Sequence, residues 1–83
     1  MPIHMEGKYV VTPLMFGETA ILFGKAQNHS DFKDMRPVRA GFFRVDTDNG
    51  VSCWGKSTSL KLESEPEMDE MLIRSVLRMN RPY

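Results

Sequence analysis

Cysteine is nearly absent from this chain, with one residue, Cys53, in 83. A single thiol excludes an internal disulfide framework and a cysteine-rich zinc site. Net charge is absent as well: eleven basic side chains balance eleven acidic ones. A general nucleic-acid binder needs a basic field to offset phosphate charge, so this balance argues against one. No apolar run comes near the roughly 18 residues of a membrane span, and no leader pattern opens the chain. Only two histidines occur, His4 and His29, with no CxxC or HxxxH spacing to hold a metal. What is present suits one small domain over residues 1–83. Ile, Leu, Val and Phe make up 20 of the 83 residues, more than disordered chains carry. The expected class is a soluble, cytoplasmic α+β domain with no cofactor.

The coarse pattern predicts about four antiparallel strands, at 8–15, 19–26, 39–47 and 51–62, and one C-terminal helix at 65–80. Residues 1–7 read as an unstructured lead-in. Tyr9, Val10, Val11 and Thr12 favour a pleated surface, and Pro13, which has no ladder donor, ends the strand or sits on an edge. The run from Thr19 to Ala26 is almost continuously apolar, which predicts a strand buried on both faces, with Gly24 marking a bulge or close approach. Residues 27–38 form the longest polar stretch, where Asn28 or Ser30 caps a short turn that Pro37 stops. Asn49-Gly50 between two apolar runs is a strong hairpin signal. Treated as a two-residue loop, it places Val45 opposite Trp54 and Phe43 opposite Lys56, on a face shared with Leu60 and Leu62. The opposite face then carries Phe42, Arg44, Val51 and Cys53.

At the C-terminus, Ser64 and Glu67 fit a capping box, and Pro66 falls in the first turn, where its missing N–H costs nothing. Acidic residues open this helix and Arg74, Arg78 and Arg81 close it, complementing its dipole. Helical spacing aligns Met68, Leu72, Val76 and Met79 into an apolar stripe flanked by Ile73, with Glu70 and Arg74 on the far side. Arg81-Pro82 ends the element.

Several stretches resemble chemical motifs. Gly50 to Ser57 matches the phosphate-loop pattern GxxxxGKS letter for letter. That loop works only between a strand and a helix N-terminus, whereas here the first Gly belongs to a hairpin and alternating residues follow. His29-Ser30-Asp31 holds triad residue types, but adjacent residues cannot set an imidazole between nucleophile and carboxylate. Cys53, in mid-strand, reads as a small buried hydrophobe. Asp46 to Gly50 resembles the start of a calcium loop without its closing Glu or flanking helices. Removal of Met1 would leave Pro-Ile-His at the start, a square-planar copper or nickel donor set that any chain with His in that place carries.

One helix roofs one face of a four-stranded sheet, and both faces here read as apolar. An unroofed apolar face exceeds what a monomer tolerates, so either the sheet curls into a partly closed barrel that buries its own second face, or that face meets a second copy; the homodimer is the expectation, with Phe42, Val51 and Cys53 on the self-association face. The expected function is a small non-catalytic protein–protein interaction domain, of a kind that binds a larger protein. The loop at 27–38 presents His29, Asp31, Phe32, Met35 and Arg36 to that partner. The second expectation is a nucleic-acid-binding sheet using Phe42, Arg44, Trp54 and Lys56. The third is an enzyme or small-ligand binder with His29 and Cys53 in a dimer cleft.

Overall fold

The computed structural model describes residues 3–48 and 50–79. The readings made for Met1 and Pro2, for Asn49 within the turn, for the side chains of His4 and Met79, and for Arg81-Pro82 lie outside the described residues. Among the described residues the chain runs β1 (Ile3–Pro13), β2 (Glu18–Phe23), a 3-10 helix (His29–Met35), β3 (Arg39–Asp46), β4 (Val51–Trp54), β5 (Lys56–Ser57), β6 (Leu62–Glu63) and α1 (Pro66–Met79). The fold is α+β. A four-stranded antiparallel sheet in the order β2-β1-β3-β4 carries α1 on one face, and β5 and β6 form a separate two-stranded ribbon.

The first strand is the centre of the sheet, not a late-starting edge. It begins at Ile3, five residues before the sequence pattern suggested, and residues 3–7 pair with β3. Its Tyr9, Val10 and Val11 are fully buried because each has a strand on both sides and a layer above and below. The apolar second strand is an edge of the sheet that ends at Phe23, packed on both faces: Ala20 and Leu22 belong to the helix-side core, and Ile21 and Phe23 to the other. Gly24 lies beyond it with open space around it, so neither a bulge nor a close approach explains that glycine.

The β3–β4 hairpin is present, but its register departs from a two-residue loop. Val45 pairs with Val51 and Phe43 with Cys53, while the Asp46 N–H donates to the Gly50 carbonyl at 2.9 Å. Asp48 Oδ1 accepts the Gly50 N–H at 3.3 Å, so an aspartate side chain helps close the turn. The resulting offset is odd in number, and in a strand an odd offset exchanges the two faces. Val51 and Cys53 therefore point toward α1, and Ser52 and Trp54 point the other way.

The helix-side core holds Tyr9, Val11, Ala20, Phe43, Val45, Val51, Cys53 and Ile73, with Leu72, Val76 and Leu77 packed against it. Its centre on the helix is Ile73, fully buried, beside the equally buried Asp69. Met68, assigned to the apolar stripe by spacing, is instead half exposed. Ser64 does not cap the helix. Its hydroxyl donates to the Gly55 carbonyl at 2.8 Å, and Asp69 Oδ2 accepts the Glu65 N–H at 2.8 Å in its place.

The second face has its own roof. Val10, Phe23 and Ala40 pack beneath Phe32 of the 3-10 helix and Leu60 and Leu62 of the β5–β6 ribbon. The 3-10 helix is capped by Asn28, whose N–H donates to Asp31 Oδ2 at 3.2 Å while its carbonyl accepts the Asp31 N–H at 3.0 Å, and it closes at Arg36 in the left-handed region at φ 56°. The predicted fourth strand at 51–62 breaks at Gly55, whose φ of 82° turns β5 off the sheet line. That break is what carries Leu60 and Leu62 back over the face they roof.

Candidate functional site

Roofing of the second face removes the premise for a homodimer, since the chain covers with its own residues the surface assigned to a second copy. Val51 and Cys53 are 5% and 7% exposed beneath α1 and offer no free surface. Phe42 lies on the other face, half-buried, stacked on Trp54 at 6.2 Å and edge-on to His29 at 5.7 Å. The three residues of the expected self-association face are thus divided between two faces. So are His29 and Cys53, which one copy of the chain does not bring together.

The residues expected to meet a partner from the 27–38 loop are mostly spent on the fold. His29 is 6% exposed, and its Nε2 lies 2.9 Å from the Gly41 carbonyl oxygen. Because a carbonyl only accepts, Nε2 carries the proton in this bond. Phe32 packs on Phe23 with ring centroids 4.4 Å apart. Asp31 accepts the Asn28 N–H at 3.2 Å. Of this group Met35 is exposed without a role in the roof or the caps, and the exposed Arg36 serves the fold through its backbone, as the C-cap whose N–H donates to the Lys33 carbonyl at 3.1 Å.

The strongest polar constellation is buried under the helix start. Asp69 accepts the Tyr9 hydroxyl and the Glu65 N–H on Oδ2, and Arg39 Nε on Oδ1 at 2.6 Å. Arg39 also donates to Glu18 at 2.7 Å. Both oxygens of Asp69 are engaged, by three donors from β1, β3 and the helix start, so the group ties these elements together. Burial, then the hydrogen bond to Asp69, pushes the Tyr9 phenol far above its ordinary range. Burial, reinforced by the charges of Asp69 and Glu70, pushes the Cys53 thiol up to about 12. A thiol held protonated is a poor nucleophile and a poor metal ligand. Among the described residues no three His, Cys, Asp or Glu side chains gather as a metal set.

The least covered apolar surface is one that the sequence pattern placed partly within a strand. Between β1 and β2 the chain turns at Leu14-Met15-Phe16-Gly17. Leu14 is 54% exposed, Met15 91% and Phe16 89%. The turn is held by the Leu14 N–H donating to the Gly17 carbonyl at 2.8 Å, and Gly17 takes a φ of 90° that only glycine adopts freely. Its base is the Pro13–Glu18 pair, and Arg39 clamps Glu18 to the helix through Asp69. Val38, 43% exposed, sits beside the same end of β1, bonded through its N–H to the Val11 carbonyl at 2.8 Å. The legible signal was the presence of two large apolar residues, Met15 and Phe16, after a ladder-breaking proline and before a glycine.

The phosphate-loop match has none of that loop's geometry, because a turn and β6, not a helix, follow Lys56-Ser57. Compared with family models, curated proteins and solved structures, the chain matches none. Its reading rests on its own residues.

Proposed function

We propose that this chain is a small non-catalytic protein-binding domain that engages a larger protein through the β1–β2 tip. The exposure of Met15 and Phe16 on a braced hairpin carries this reading. Large apolar side chains held at a convex point, already ordered before binding, are anchors that fill a concave apolar pocket. A second copy is the weaker candidate for that pocket. A four-residue tip meeting its own image falls far short of the roughly 800 Å² per partner that a stable interface needs. A lipid surface also fits less well, since Arg39, the cation nearest in register, is already held by Glu18 and Asp69.

A photo-crosslinker at position 16 is expected to label a protein that the same probe at the exposed Lys33 does not. The purified partner should then bind Met15→Ser/Phe16→Ser at least tenfold more weakly, with the fold intact. Equal binding by that variant overturns the reading. So does sedimentation showing a wild-type dimer that the variant converts to monomer, or flotation of the wild-type chain with vesicles.

A further inference from the structure

A second, chemically different site lies away from the tip, and we propose that it binds a small phosphate monoester. A cleft of about 420 Å³ opens on the second face between the start of the 3-10 helix and the Lys56–Ser59 segment. Lys8, Lys56, His29, Ser30, Thr58 and Ser59 line it, and no carboxylate does. In a chain of zero net charge this is a local excess of two ammonium groups. The nearby acids are accounted for: Glu6 pairs with Lys25, and Asp31 is used in the helix cap. Glu63 stands opposite Lys56 in the ribbon, but they form no ion pair among the described residues.

The donors are partly prepared. Lys8 Nζ donates to the Gln27 carbonyl at 2.8 Å, which fixes the ammonium at the rim and leaves two of its three protons free. His29, more than nine-tenths buried, lines the cleft as wall: its Nε2 proton is spent on the Gly41 carbonyl, so the ring adds no donor. Hydroxyls of Ser30, Thr58 and Ser59 complete a set of donors that can rotate to suit an anion.

The donor types select the ligand. Planar carboxylates favour the rigid fork of Arg, and no Arg lines the cleft. Ammonium points and swivelling hydroxyls suit a tetrahedral dianion. The volume exceeds what inorganic phosphate fills, and the Phe42 ring on the wall offers an apolar surface to an organic part. Lys56 and Ser57, the last two letters of the phosphate-loop match, thus reach an anion cleft without that loop's backbone.

The test uses the intact chain with inorganic phosphate, ribose 5-phosphate and ribose. Amide shifts at residues 28–30 and 56–59 report the cleft, and Trp54, the single tryptophan, reports through its stack on Phe42. Both phosphates should perturb these signals, ribose 5-phosphate at lower concentration, and ribose should not. Lys8→Gln/Lys56→Gln should weaken binding by about tenfold or more, since charged hydrogen bonds are lost, with thermal stability unchanged. The proposal is overturned if neither phosphate acts at millimolar concentration, or if the double variant binds as wild type. It is equally overturned if acetate competes as well as phosphate, or if an oligonucleotide binds where the two small phosphates do not.

Discussion

Replacing Asp69 tests how the helix is fastened to the sheet. Its side chain is fully buried and accepts from Tyr9, Arg39 and the Glu65 backbone. Asp69→Ala leaves the Tyr9 hydroxyl and the Glu65 N–H without their partner, at roughly 1–3 kcal/mol for a buried unsatisfied group. Arg39 keeps Glu18, so its charge is not orphaned. A net loss of about 3–4 kcal/mol follows, toward the low end for breaking a buried pair. Total stability for a chain of this length is about 4–12 kcal/mol, so the midpoint of melting should fall by roughly 15–25 °C. Tyr9→Phe alone should cost about 1 kcal/mol. In the Tyr9→Phe background Asp69→Ala should cost at least about 1 kcal/mol less than in wild type, because the phenol it stranded is gone. Urea titration followed by Trp54 fluorescence measures all four corners of the cycle. A loss below about 1 kcal/mol for Asp69→Ala, or strictly additive losses, refutes a tie of this kind.

Four further outcomes follow from other parts of the structure. The Cys53 thiol, pushed by burial up to about 12 from an ordinary 9, holds its proton more tightly folded than unfolded. The stability this contributes is whole below pH 9 and is lost as pH rises toward 12, by up to about 1.4 kcal/mol per pH unit. Cys53→Ala should flatten the decline between pH 9 and 10, as read by urea midpoints. Native Cys53 should resist a thiol-specific reagent at neutral pH and react fully in denaturant, and fast native labelling would contradict its burial. Gly55→Ala should cost about 1–2 kcal/mol, because the residue sits at a φ of 82° and an added Cβ would lie 2.8 Å from the Phe42 ring. Met15→Ser/Phe16→Ser should leave the urea midpoint within about 0.5 kcal/mol of wild type, since neither side chain is buried.

Much of the architecture was legible from local chemistry. Asn28 or Ser30 offered a cap for the short helix that Asn28 in fact caps, and β-branched residues announced β1. What local pattern could not supply was pairing. Ile3 to Gly7 gave little sign of a strand because β3, distant in sequence, is what orders them. The hairpin's face assignment depended on a loop length that Asp48 and the Asp46–Gly50 bond set. That offset moved Val51 and Cys53 under the helix and took the self-association face with them. Asp69 was hidden for another reason: a carboxylate in the first turn reads as a dipole partner, and only the tertiary positions of Tyr9 and Arg39 reveal a buried tie. The tip was half legible, since Met15 was read into the strand that Pro13 had already ended.

The central place of β1 bears on how the chain is made. It finds β2 across a short turn, but its other neighbour, β3, starts only at Arg39. A two-stranded ribbon is marginal in water, so during synthesis the opening strand waits with one open edge until β3 has left the ribosome. The later ribbon and helix then cover its two sides. A nascent chain arrested between Phe23 and Arg39 is therefore the form most in need of a chaperone.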